Sequence, residues 1–247
     1  MSRPWPAKRA LRHAGNAQPE QEHDVVAKLW WIFAKDLVSE WRARRVWPAM
    51  LLLGVVAAVV FTMQIDLAGP QKLRAVGGLL WLAVFFAGMS ALERSFACER
   101  EGGCWEGLLL YPVSPAAIYL AKLAVNVLAL AAVQVVLFPL FSVLSDVPLL
   151  VHPWPMLLVA LLGNLGLASV GTLVSALAAG IRHSAGLAVL VVLPLVVPVV
   201  LGAAEATRLV VQGQLGPEGW RWLQFLITFD VIFITAGTVL FDFVVEE

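Results

Sequence analysis

LAVNVLALAAVQVVLFPLFSVLS, residues 123–145, carries no charged side chain over 23 positions. A hydrocarbon core about 30 Å thick is crossed by about 20 helical residues at about 1.5 Å each. With no water there to satisfy peptide groups, only helices and closed barrels can span it. The stretch therefore reads as a membrane-crossing helix, and its flanks repeat the pattern. Uncharged runs recur at residues 46–65 (20 positions), 75–92 (18), 153–181 (29) and 184–204 (21), and residues 222–241 form another of 20 with a single acid, Asp230. Pro153 and Pro155 are expected to open the helix of the longest run, which trims that span to 155–181. The fold class that follows is all-α: a polytopic membrane protein with six transmembrane helices.

Composition agrees. The chain is 60% hydrophobic and 14% charged, against roughly 45 to 50% and about 25% in soluble domains, which excludes an ordinary cytosolic enzyme. Seventeen basic and 17 acidic residues give a net charge of zero, so overall basicity offers no case for a nucleic-acid partner. Position matters more than total. Residues 1–45 hold nine Lys or Arg, and the same side of the membrane is assigned Arg94, Arg100, Lys122 and Arg182; the other side receives Lys72, Arg74, Arg208 and Arg221. The excess places both termini in the cytoplasm. Residues 1–24 lack the apolar core of a signal peptide and read as a flexible arm, leaving 25–247 as one membrane domain. Within residues 25–42, Val26, Leu29, Trp30, Phe33, Leu37 and Trp41 recur at steps of three and four, opposite Lys28, Lys35, Ser39 and Arg42. That periodicity predicts an amphipathic helix lying in the membrane interface ahead of the first span.

The segment ERSFACEREGGCWEGLLLYPVSPAAIYLAK, residues 93–122, reads as a cytoplasmic loop crowded with Glu93, Arg94, Glu99, Arg100, Glu101 and Glu106. Gly102 and Gly103 break the charged stretch. Residues 105–110 then form a short helix, stopped by Pro112 and Pro115. Apolar side chains on so small an exposed element suit a docking surface for a partner; a re-entry turn packed on the membrane domain is the other reading.

Inside the spans, three features stand out. Asp230 would cost about 2.5 to 3.5 kcal/mol at membrane depth, so it is expected to face a cavity, a partner chain or a hydrogen-bonding group. It is placed in the outer third of the last span, or close to the headgroups if Trp220 and Trp222 mark the interface. Pro194 and Pro198 lie four apart in the fifth span, where each frees a carbonyl and bends a helix. Ala168, Thr172, Ala176 and Gly180 form a ridge of small residues that permits close helix approach, within the chain or across a homodimer. Conventional catalytic chemistry finds no support. Cys98 and Cys104 match no redox or metal spacing, His13, His23, His152 and His183 do not pair, and no G-x-x-x-x-G-K-[ST] phosphate loop occurs.

Ordered motifs carry a resemblance: FACEREGGCWEGLLLYPVSPAAIYLAK at 96–122, LFPLF at 137–141, VGTLVSALAAGIR at 170–182, LPLVVPVV at 193–200 and FDVIF at 229–233. Together they resemble the cytochrome c maturation protein B family, CcmB, also called heme exporter protein B. The resemblance implies the permease subunit of an ABC-type complex in the bacterial inner membrane, with ATP bound by a separate CcmA-like subunit. It further implies a CcmC-like heme-handling subunit, a small CcmD-like subunit, and a pair of permeases. Residues 105–111 then correspond to a coupling helix, in which Trp105, Glu106, Gly107, Leu108 and Tyr111 transmit force and Glu99, Arg100 and Glu101 form ion pairs across the contact. On this reading the chain is not an enzyme and binds no cofactor itself; heme is handled by the complex, whether exported or released with its chaperone. An exporter of another lipid or hydrophobic solute is the alternative within the class. A heme-binding membrane protein, using His152 as its one outer histidine, is the alternative outside it.

Overall fold

The computed structural model describes residues 46–63, 69–101, 114–180, 185–214 and 216–246. Among these residues all regular structure is helical: α1 (Val46–Met63), α2 (Gly69–Glu101), α3 (Pro115–Ser145), α4 (Pro153–Gly180), α5 (Ala185–Val211) and α6 (Pro217–Glu246). Five are long and apolar enough to cross a membrane, over Gln71–Met89, Pro115–Ser145, Pro153–Ser175, Val192–Val211 and Pro217–Phe241. α1 contributes a shorter apolar helix, Pro48–Met63. The arm at 1–24 and the amphipathic helix expected at 25–42 lie outside the described residues.

Helices outrun the uncharged runs at several ends. α2 takes in Lys72 and Arg74 at its start and Glu93, Arg94, Glu99, Arg100 and Glu101 at its finish, so these residues are helical rather than looped. Glu, Lys and Arg are good helix formers, and nothing interrupts the backbone before Gly102. Pro115, expected to stop the short helix of residues 105–110, is also the first residue of α3, a position that a residue lacking an N–H takes readily. Lys122 is thereby moved out of the loop into the third turn of α3, where it is only 5% exposed and engaged in an interaction. Glu205 and Arg208 fall in the last turns of α5.

The ends are closed by specific backbone devices. α3 ends on Asp146 in the left-handed region, φ 53° and ψ 37°, a conformation that Asp tolerates better than most residues. α5 ends on Gly213 with φ +66°. Its N–H donates to the Val210 carbonyl at 3.0 Å, while Gln214 N–H donates to that of Leu209 at 2.9 Å. This is the Schellman pattern, which needs a residue at ease with positive φ. The two connections lie together, because a side chain at Gly213 would come within 3.4 Å of His152 Nε2. Trp154 and Trp220, 76% and 55% exposed, stand in the first turns of α4 and α6 at this same end, the placement of an interfacial aromatic belt.

α4 is the hub of the bundle, packing against α2, α3, α5 and α6. Of its most apolar window 72% of residues are buried, against 22% for α6. Its contact with α2 is a notch: the Trp81 indole, fully buried, occupies the space a side chain at Gly163 would take, and Trp81 Nε1 donates to Thr207 Oγ1 of α5 at 3.0 Å. One side chain thus ties three helices. Hydrogen bonds between membrane helices average about 0.6 kcal/mol and reach about 1.7, so Thr207→Val, which removes the acceptor and leaves the indole in the notch, is expected to cost within that range. Thermal unfolding in mild detergent measures it; an unchanged midpoint would deny the Thr207 bond any stabilising role.

Candidate functional site

Two regions hold the residues that sequence alone singled out. The first is the end of the bundle where α2 finishes and α3 begins. With 33 residues α2 is about 50 Å long at about 1.5 Å per residue, whereas its apolar window is the 19 residues Gln71–Met89. Twelve further residues, 90–101, extend about 18 Å past that window. Glu99, Arg100 and Glu101 are the final residues of this extension. Trp105, Glu106, Gly107, Leu108 and Tyr111 lie outside the described residues. What is described on either side is continuous helix, with α2 and α3 packed on each other.

The second region is the membrane interior, which is more polar than the run of apolar residues suggested. α3 and α4 are antiparallel and joined by two side-chain bonds. Asn126 Nδ2 donates to Thr172 Oγ1 at 2.8 Å, and Asn164 Nδ2 donates to Gln134 Oε1 at 2.9 Å. The partners are eight residues apart on both helices (134 minus 126, 172 minus 164), about 12 Å of helix, so the two bonds fix the register. Tyr119 Oη donates to the Ser169 carbonyl at 3.2 Å, and its ring packs on Gly237 and Phe241 of α6. Ala168 and Thr172 of the small-residue ridge are fully buried within this one chain. The side chains at 176 and 180 lie outside the described set.

Asp230 lies 13 residues after the start of α6 (230 minus 217), about 20 Å along it. That is close to the middle of the helix. It is 3% exposed, and neither carboxyl oxygen has a hydrogen-bond partner among the described residues. It faces Gly166, itself 13 residues after the start of α4 (166 minus 153), where an added Cβ would stand 2.9 Å from Oδ1. The side chain of Val199 on α5 closes the same spot. α5 runs unbroken through Pro194 and Pro198, and α3 through Pro139; each proline leaves the carbonyl four residues before it without a helical donor.

Sequence reading missed the Gln134–Asn164 pair, the Asn126–Thr172 pair and the Trp81 notch. Polar residues in an uncharged run were the available signal, but one polar residue in a span does not name its partner. The Gln134–Asn164 pair also leaves Gln134 Nε2 and Asn164 Oδ1 unbonded. Truncating one partner orphans the other, whereas replacing both with apolar groups of similar shape is close to neutral. Asn164→Leu is therefore expected to destabilise by about 1 to 3 kcal/mol, and the double variant with Gln134→Leu by less. Comparing the four midpoints of a double-mutant cycle checks this; strict additivity would remove the pair.

Helices of this length and hydropathy, packed around a sparse buried polar interior, define a polytopic α-helical membrane protein. A family profile described as CcmB protein matches residues 27–245. The chain belongs to the CcmB family. Among similar proteins, the heme exporter protein B of Rhodobacter capsulatus is 32% identical over 143 residues, covering 57% of this chain and 65% of that protein. That of Pseudomonas aeruginosa is 31% identical over 164 residues, covering 65% and 73%, and that of Paracoccus denitrificans 27% over 197 residues, covering 79% and 88%. The match thus spans just under two thirds of the Rhodobacter protein's length.

Proposed function

We propose that this chain is the permease subunit of an ABC-type complex of cytochrome c biogenesis in the bacterial inner membrane. It couples ATP hydrolysis on a separate CcmA-like subunit to heme export or to release of a heme-loaded chaperone from a CcmC-like subunit. The observation that carries this reading is the family match over 27–245, together with relatives named for heme export. The extension of α2 past its apolar window supports it, since a rigid rod leading to residues 102–113 is what a force applied there requires. α1 completes six crossings on this reading, with both termini and the 102–113 segment cytoplasmic, the amphipathic helix at 25–42 in the interface, and two copies side by side beside a CcmD-like subunit. The release role is preferred over transport of heme itself. That preference rests on the sequence, in which His13, His23, His152 and His183 do not pair at ligand spacing.

Isolation of the tagged chain from its native membranes in mild detergent tests the assignment. An ATPase and heme-handling subunits should come with it, and deletion should remove c-type cytochromes. Loss of a surface polymer or lipid instead would favour an exporter of another hydrophobic solute. Nucleotide hydrolysis by the chain alone would overturn the reading, and heme bound in equal amount to the chain alone would overturn the release role.

A further inference from the structure

The helix that carries Asp230, α6, packs against α3, α4 and α5. None brings it a counter-ion. α4 has no ionisable side chain along its whole length. α5 carries Glu205 and Arg208, which bond each other at 2.6 Å and lie six and nine residues beyond Val199, about 9 and 14 Å along the helix. α3 carries Tyr119, whose hydroxyl donates to Ser169, and Lys122, which is engaged in an interaction of its own near the start of that helix. On α6 itself the nearest ionisable residues are Arg221 and Asp242, nine and twelve positions away. Both oxygens of Asp230 are nonetheless buried and unbonded. An ionised carboxylate buried among apolar side chains is far costlier than one that keeps its proton.

Space decides what the carboxyl can bind. A single carbon added at Gly166 would lie 2.9 Å from Asp230 Oδ1 and 2.9 and 3.0 Å from the Val199 methyls, so the seam has no room at that point for a hydrated cation. A proton fits. We infer that Asp230 is an intramembrane proton-binding site, its carboxyl held neutral in the closed seam between α4 and α6 at Gly166. The site is independent of which solute the complex handles.

Infrared spectroscopy of the full chain with its co-purifying subunits in native lipid, produced with carboxyl-13C aspartate, reads the state directly. The other aspartates of the chain, Asp24, Asp36, Asp66, Asp146 and Asp242, lie outside residues 222–241, and a carboxyl in water is ionised at about pH 7. A labelled carboxylic-acid C=O band should be present at that pH and be lost in Asp230→Asn. Carboxylate bands alone in the wild-type chain would overturn the inference, and that reading needs no variant. A neutral-acid band that survives in Asp230→Asn would overturn it as well, by assigning the proton elsewhere.

Discussion

Gly163→Ala should lower the stability of the detergent-solubilised protein by about 1 to 3 kcal/mol, the usual cost of overpacking a closed core, and Trp81→Leu should restore much of the loss when combined with it. The new methyl would stand 2.1, 2.4 and 2.9 Å from three atoms of the Trp81 six-membered ring. Real carbon contacts do not approach so closely, so either the indole or α4 must move. The indole cannot swing aside freely, because it is fully buried and its Nε1 is held by Thr207. Moving α4 disturbs more, since α3, α5 and α6 also pack on it. A smaller side chain at 81 removes the collision but forfeits buried area and the bond to α5. The single Trp81→Leu variant is thus expected to be destabilised too, and the double variant to be more stable than the sum of the singles implies. Coupling between residues in contact runs at about 0.5 to 3 kcal/mol. Midpoints for the wild type, both singles and the double, measured in one detergent, give that coupling. Additive losses would mean that the indole does not fill the notch.

What was legible in the sequence follows from what each signal measures. An uncharged run counts residues against bilayer thickness, so the helices at 115–145 and 153–180 could be read from 123–145 and 155–181. Where a helix ends is a different matter, set by caps and breakers. Hence Glu93 to Glu101 and Lys122, read as loop, prove helical. Asp230 drew notice because an acid in an apolar run is costly, but its neighbour Gly166 depends on the parallel alignment of α4 and α6. Asn126, Gln134, Asn164 and Thr172 were in plain view as isolated polar letters; only the antiparallel register of α3 and α4 turns them into two pairs. Trp81 and Gly163 are 82 residues apart (163 minus 81), and no local periodicity couples an indole to a glycine at that distance.

Gly107→Pro should reduce c-type cytochrome maturation to the level of a deletion while leaving the chain in the membrane at normal abundance. In the proposed coupling helix of residues 105–111, a proline at 107 costs little through its missing N–H, which has no acceptor in a first turn, but it disfavours the α conformation at Glu106 and so breaks that turn. An element so short has no neighbouring turns to absorb the break. Insertion should survive, because the substitution lies outside the apolar windows that end at Met89 and begin again at Pro115. Gly107→Ala is the matched control: alanine favours helix over glycine by about 1 kcal/mol, so function should be retained if helicity at this position is what matters. The length of α2 gives the prediction its reach. From Glu101 back to Trp81 is 20 residues (101 minus 81), about 30 Å of continuous helix, and Trp81 is the side chain that meets both α4 and α5. A displacement imposed beside Gly107 would therefore be delivered by α2 to the centre of the bundle without passing through a flexible joint among the described residues. Maturation assays on membranes carrying each variant, with the amount of chain checked by immunoblot, separate loss of coupling from loss of protein. Normal maturation in the proline variant would remove residues 105–111 as the site where an ATPase drives this chain.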